Sequence, residues 1–429
     1  MACKPCAVLL AAHAAAMQPP SWSALSKTLP SAAAEAPTII DAVQHQQKRP
    51  PLSEDTVVLY RERNGWCPYS ERVWLGLETK NVAYETVLID NTGGARPSWF
   101  GSTTPRIRWA DGADQGESID ILKALDERYP SEPPLFDEHS AALIGAFKDI
   151  FPRTAQCPNE RRGDRVHKHA FSFELRAGMT RPSSRAAFLF RSSGQPVARR
   201  DFEATLEKTD ALLGERGGPF FAGESPTAPD VCWAPFLERY AAQLPLLHDG
   251  LRPRDATRYP RLSRWYDAME SQIPAYGCRV RGNAASWAKV LSQAGFGNGG
   301  SVPETNPDSR TASSDAAASA RGAETWAAYA ADRPWVAPSP DEEAAATILR
   351  RRDAIRDDAA RRGVLSGDAD AIEAGLRGVV AGLIDEAHVL ALDQDAATMA
   401  RDLDERLCCP RDLGAPAAAA IRRLAALYE

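Results

Sequence analysis

The chain has 429 residues, 44% of them hydrophobic and 25% charged, with a formal net charge of -6. This length accommodates two or three domains with buried cores. The acidic balance, with no basic stripe interleaved with aromatics, argues against a nucleic-acid partner, and no apolar run reaches the roughly 18 residues of a membrane span. The cysteines are scattered, at Cys3, Cys6, Cys67, Cys157, Cys232, Cys278, Cys408 and Cys409, which does not read as a disulfide framework. The histidines make no HExxH or Cys2His2 spacing with them, so no metal is expected. The nearest grouping, Cys157 with His167 and His169, lies among arginines and reads as a solvated loop.

Residues 1–52 read as a leader, Ala-rich to Met17, then rich in Pro, Ser and Gln, and ending in Lys48-Arg49-Pro50-Pro51. Lys4 followed by the small and apolar run Ala7 to Ala16 has the make-up of a targeting segment, and a disordered leader fits the same composition. The compartment expected is cytoplasmic, or a plastid-type organelle if the leader targets.

Over 53–132 strand and helix alternate. A strand is expected at Thr56 to Tyr60, a helix at Tyr69 to Lys80, a strand at Tyr84 to Ile89 and a Gly- and Pro-containing loop through Pro105. A short strand at Arg106 to Trp109, a turn at Asp111-Gly112 completing a hairpin-like pair, and a helix at Ser118 to Tyr129 follow. This order predicts an α/β domain of thioredoxin-like arrangement. Cys67 falls where the first strand gives way to the first helix, among unpaired N–H groups at the positive end of the helix dipole, which favours thiolate. Pro68 suits the first helical position. The place that would complete Cys-x-x-Cys holds Ser70, so redox chemistry here would use one protein thiol. A buried structural cysteine is the competing reading.

Three separated stretches carry a family resemblance. CPYSERVWLGLETKNVAYETVLID from Cys67 to Asp90, with RPSWF at Arg96 to Phe100, is followed by Thr104-Pro105 and then by QGESIDILKALDERYP ending at Pro130. Together they resemble the N-terminal domain of the glutathione S-transferases, and most of all its cysteine-type classes: omega, lambda and the dehydroascorbate reductases. The resemblance implies Cys67 as the catalytic residue and glutathione as co-substrate. It also implies a cis Pro105, with the backbone of Thr104 pairing with glutathione's cysteine, and Glu117 and Ser118 binding the γ-glutamyl end. The chemistry agrees: Ser118 opens a helix, where hydroxyl and N–H groups suit a carboxylate, and Glu117 offers a charge to an ammonium. The sequence departs from the pattern between Phe100 and Pro105, where the family's second helix and a lysine that often contacts glutathione have no counterpart.

After Glu132-Pro133-Pro134 the stretch 138–294 reads as all-helical, with helices at Ser140 to Phe151, Ala198 to Gly214, Pro229 to Leu244 and Pro260 to Gln272. It resembles the second domain of the same family. Thr227-Ala-Pro-Asp230 reads as a capping box. Trp233, Phe236, Tyr240, Trp265 and Tyr266 read mostly as core, and the resemblance implies that one or two of them face a substrate. The Arg-rich stretch Arg153 to Arg191 reads as an inserted surface loop. Residues 295–320 form a linker, and 321–429 a helical extension that the resemblance does not cover, with amphipathic runs at Asp341 to Arg362, Ala369 to Leu390 and Ala415 to Leu427. Cys408-Cys409 reads as a structural pair, since adjacent cysteines bridge only with strain.

The expected fold is therefore an α/β thioredoxin-like domain, an all-α transferase domain and an additional α-helical region. The expected activity is that of a glutathione-dependent thiol transferase or reductase, such as deglutathionylation or dehydroascorbate reduction. In it Cys67 forms a mixed disulfide that a second glutathione, held by Thr104, Glu117 and Ser118, resolves. Conjugation of glutathione to electrophiles and a non-catalytic scaffold are the alternatives. The partners expected are glutathione and a small electrophilic or disulfide substrate, with a homodimer or a monomer as the assembly.

Overall fold

The computed structural model describes residues 19–90, 96–101, 103–131, 134–152, 189, 197–288, 290, 314–389 and 393–428. Its first elements lie inside the stretch read as a leader. Helix α1 (Trp22–Thr28) is capped by Ser21, whose hydroxyl accepts from the Ala24 N–H, and it buries Leu25. Strand β1 (Ile39–Asp41) joins a sheet. The structure thus departs from the leader reading over residues 19–52. Apolar Leu25 and Leu29 find a core, and the β-branched pair Ile39-Ile40 finds a strand edge to extend.

Next come β2 (Val57–Glu62), α2 (Pro68–Thr79), β3 (Tyr84–Ile89), β4 (Arg106–Arg108), β5 (Asp114–Gly116) and α3 (Ser118–Arg128). The sheet runs β1-β3-β2-β4-β5, with β3 parallel to β1 and β2, and β4 antiparallel to β2 and β5. Alternation along β2 sets the layers. Val57 and Leu59 face the core shared with Val73, Leu77, Ile121 and Leu125 of α2 and α3. Val58 and Tyr60 point to the opposite face, against Ala42, Val87, Ile89 and Phe100. Both faces are covered, which is why β2 reads as a continuous apolar run. Lys80 and Asp126, 2.6 Å apart, tie α2 to α3. Among the described residues between β3 and β4 there is no helix.

The all-helical part consists of α4 (Ser140–Ile150), α5 (Arg199–Leu213), α6 (Ala228–Leu247) and α7 (Pro260–Gln272), followed by a π-helical turn at Tyr276–Val280. The capping box is present: Thr227 and Asp230 bond each other's backbone N–H groups at the start of α6. Trp233, Phe236, Tyr240, Trp265 and Tyr266 are all buried. The sheet, these helices and residues 409–411 make one unit, Pro37–Ser314 with Cys409–Arg411. Cys157, His167, His169 and, apart from Leu189, the Arg-rich stretch Arg153 to Arg191 lie outside the described residues.

The other unit joins the two ends of the chain, Met1–Ala36 with Asp315–Cys408 and Asp412–Glu429. Its helices are α8 (Ser314–Ala330), α9 (Pro340–Arg361), α10 (Ala369–Ile384), α11 (Gln394–Arg406) and α12 (Ala415–Leu427). Helix α8 begins within the stretch read as a linker, where an alanine-rich run favours helix. Helix α11 has no counterpart in the sequence reading, and α10 ends at Ile384 rather than Leu390. The approach of α10 to α11 depends on small residues: a Cβ at Gly375 would lie 2.6 Å from the Asp395 carbonyl oxygen and 2.7 Å from Met399 Cγ. Arg350 donates to the Ser31 carbonyl and Arg377 to the Pro19 carbonyl, so residues 19–36 are fastened to α9 and α10.

Candidate active site

Cys67 is the N-cap of α2, extended at φ -75 and ψ 113, and its carbonyl accepts the Glu71 N–H at 3.0 Å. Pro68 takes the first helical position. Cys67 is half-buried. Burial pushes its thiol up, the Ser70 hydroxyl and the Ser70 and Tyr69 N–H groups pull it down, and the nearby Glu62 carboxylate pushes it up again, for a net rise. The N–H groups at the helix start do favour the thiolate, but the desolvation cost of the charge exceeds what they return.

The loop ahead of Cys67 is shaped by Glu62, whose carboxylate accepts the N–H groups of Asn64 and Trp66, each at 2.8 Å. Gly65 turns this loop at φ +74, with Pro410 so near that a Cβ at Gly65 would lie 2.8 Å from Pro410 Cγ. Glycine meets both requirements.

Sheet register assembles the remaining residues. Tyr60 of β2 lies opposite Arg106 of β4, and Arg106 lies opposite Gly116 of β5. One residue before Arg106 is Pro105, joined to Thr104 by a cis peptide bond. One residue beyond Gly116 is Glu117. β2 continues past Tyr60 towards Cys67. Cys67, Thr104, Pro105, Glu117 and Ser118 therefore all stand at one end of the sheet. Glu117 adopts φ 64 and ψ 109, a left-handed backbone uncommon outside glycine, and conformations of this kind persist where the surroundings fix them. It occupies the N-cap of α3 without a capping side-chain bond, and Ser118, buried, follows it.

A cluster absent from the sequence reading lies behind the Cys67 loop. Arg239 of α6 is fully buried. Its Nη2 donates to the Trp66 carbonyl at 3.0 Å, and its Nη1 donates to Glu71 Oε2 at 2.8 Å and to the Pro235 carbonyl. Glu238 Oε1 is 3.4 Å from the same Nη1, and the guanidinium stacks on Trp287 at 4.1 Å. Burial raises both Glu71 and Glu238 above the usual carboxylate range. The signal for it was the charged pair Glu238-Arg239 inside the apolar run of α6. Among the described residues no group of three or more His, Cys, Asp or Glu is arranged to hold a metal.

Comparison with known proteins agrees with this architecture. Residues 66–128 match the family model for the glutathione S-transferase N-terminal domain, and residues 169–268 match that for the C-terminal domain. The second match begins inside the Arg-rich stretch. The fold is thus a thioredoxin-like domain followed by an all-helical domain similar to the C-terminal domain of glutathione S-transferases, with additional helices. Pyrimidodiazepine synthase of Drosophila melanogaster is 26% identical over 230 residues, spanning 52% of this chain and 80% of that protein. Glutathione S-transferase L1 of Arabidopsis thaliana is 24% identical, spanning 52% and 82%; glutathione S-transferase DHAR2 of the same plant is 27% identical, spanning 40% and 66%. Among solved structures, glutathione transferase Omega 3C from Trametes versicolor is 15% identical with a TM-score of 0.36, covering 54% of this chain and 85% of that one.

Proposed function

We propose that this protein is a glutathione-dependent thiol transferase or reductase in which Cys67 is the one reacting protein thiol. The observation that carries this reading is the register that gathers Cys67, Thr104-Pro105 and Glu117-Ser118 at one end of the sheet. The relatives named as glutathione S-transferases support glutathione as the co-substrate. The Cys67 thiolate attacks the sulfur of a glutathionyl disulfide. The new bond is Cys67–S–S–glutathione, the old S–S bond breaks, and the other thiolate leaves and takes up a proton. A glutathione thiolate then attacks the mixed disulfide, releasing glutathione disulfide and restoring Cys67. Thr104 offers its backbone to the glutathione cysteine, while Glu117 and Ser118 hold the γ-glutamyl end.

Because the Cys67 thiol is raised, a larger share of it is protonated near neutral pH. That favours a second reading, in which the protonated thiol donates a hydrogen bond to a bound glutathione thiolate that conjugates an electrophile. Incubation with glutathione disulfide followed by intact-mass measurement separates the two. A single adduct on Cys67, removed by free glutathione and absent from Cys67→Ser, is expected. Reductase activity that survives Cys67→Ser would sink the first reading. The assembly proposed is a homodimer, which sedimentation reads directly. The compartment proposed is the cytoplasm, with a plastid-type organelle as the alternative that fractionation decides.

A further inference from the structure

Two buried carboxyl groups meet one guanidinium behind the Cys67 loop. Among the described residues no donor reaches Oε1 of Glu71 or Oε2 of Glu238, and the two carboxyls lie within hydrogen-bond range of each other. Two ionised carboxylates side by side in a dry interior repel strongly, and buried acceptors without donors are costly. One proton held between them removes both costs and leaves a single negative charge to match Arg239. We propose that Arg239 is a positioning residue for Cys67, and that one proton shared between Glu71 and Glu238 keeps it aimed at the Trp66 carbonyl.

The geometry explains how. The guanidinium fork is rigid and presents its donors in fixed directions. Nη2 holds the carbonyl of the residue immediately before Cys67, and Nη1 holds Glu71 on the first turn of the helix that Cys67 caps. The loop and the helix are thereby fixed to each other from α6. Stacking on Trp287 holds the plane of the fork. If the shared proton leaves, Glu238 becomes a second full charge only 3.4 Å from Nη1, and it competes with Glu71 and Trp66 for the fork. The other charged and titratable groups facing the pair are occupied or neutral. Arg72 donates to the Cys232 carbonyl and lies over the rings of Tyr69 and Phe236. Arg281 pairs with Glu270 at 3.4 Å. Tyr266 and Tyr276 are buried phenols pushed further from ionisation.

This inference rests on Cys67 as the reacting thiol, and its test needs no glutathione, so the two fail separately. On the full chain, the rate at which iodoacetamide alkylates Cys67 is followed by mass spectrometry across pH, with thermal unfolding recorded alongside. Arg239→Lys keeps the charge but loses the fork. Alkylation near neutral pH is expected to slow about tenfold, with its midpoint moved to higher pH, because the Ser70 and Tyr69 donors no longer align with the sulfur. Glu71→Gln, an isostere that leaves the one carboxylate on Glu238, is expected to draw Arg239 away and slow alkylation similarly. Glu238→Gln supplies a permanent N–H to Glu71 and is expected to alkylate like the wild type. In the wild type the folded state keeps a proton that the unfolded state releases above the ordinary carboxylate range. Stability is therefore lost as pH rises above the ordinary carboxylate value towards the raised folded value, and over that window Glu238→Gln should unfold at increasingly higher temperature than the wild type. Wild-type alkylation rates and midpoints in folded Arg239→Lys or in Glu71→Gln would overturn the positioning role. Parallel unfolding curves for Glu238→Gln and wild type would overturn the shared proton.

Discussion

Cys67 draws its chemistry from neighbours within three residues and its resistance to ionisation from the burial around it. The Ser70 hydroxyl accepts from the Glu62 N–H at 3.4 Å and keeps its own proton for the Cys67 sulfur. Ser70→Ala removes a donor that favours the thiolate, so the thiol rises further. Alkylation of Cys67 near neutral pH should slow by up to about tenfold, while its rate at strongly alkaline pH stays close to wild type. A pH-independent slowing would instead mean altered access. Cys67 was legible as a candidate from its place at a helix start, whereas Thr104-Pro105, Glu117 and Ser118 became candidates only through the resemblance to a known family. The direction of the thiol shift was not legible. The desolvation behind it comes from residues brought around α2 by the fold, and local motifs carry no information about them.

Among the elements, α6 shows how one side chain can organise a helix. Asp230 accepts from the Thr227 N–H at 2.9 Å, the Phe221 N–H at 3.1 Å and the Trp265 indole at 2.8 Å, joining the α6 cap to the preceding loop and to α7. Asp230→Ala leaves those buried donors unpaired and should cost about 2–4 kcal/mol, read from denaturant unfolding. Burial, opposed by these donors, raises the Asp230 carboxyl to about 6. The folded state therefore holds a proton that the unfolded state has released. The group's stabilising contribution is complete below its unfolded value near 3.8 and is lost as pH rises through about 6. Against an Asp230→Asn reference, whose side chain does not titrate, the wild type should lose up to about 3 kcal/mol across that window. The capping box could be read from Thr227-Ala-Pro-Asp230 alone. Its tie to Trp265, 35 positions along the chain, could not.

At the scale of the whole molecule the chain builds two units, and one of them uses both ends of the sequence. Leu29 is fully buried there, close to Ser31, whose carbonyl accepts from Arg350 of α9. Leu29→Ala should destabilise that unit by about 2–4 kcal/mol, read as a lowered unfolding temperature, while Cys67 alkylation stays at the wild-type rate. A stretch that composition marks as leader would give no such loss. By itself the sequence determined the order of strands and helices from β2 to α7, the cysteine at the start of α2 and the proline before β4, whose cis bond was expected only through the family resemblance. The elements and the cysteine's place depend on periodicity and caps acting over a few residues. Only the tertiary structure decided that Ile39–Asp41 extends the sheet, that residues 19–36 pack with the C-terminal helices, and that Arg239 meets Glu71 and Trp66. Those outcomes depend on surfaces that exist only once the other elements have folded, and on the need to satisfy charges and hydrogen-bonding groups that folding has removed from water.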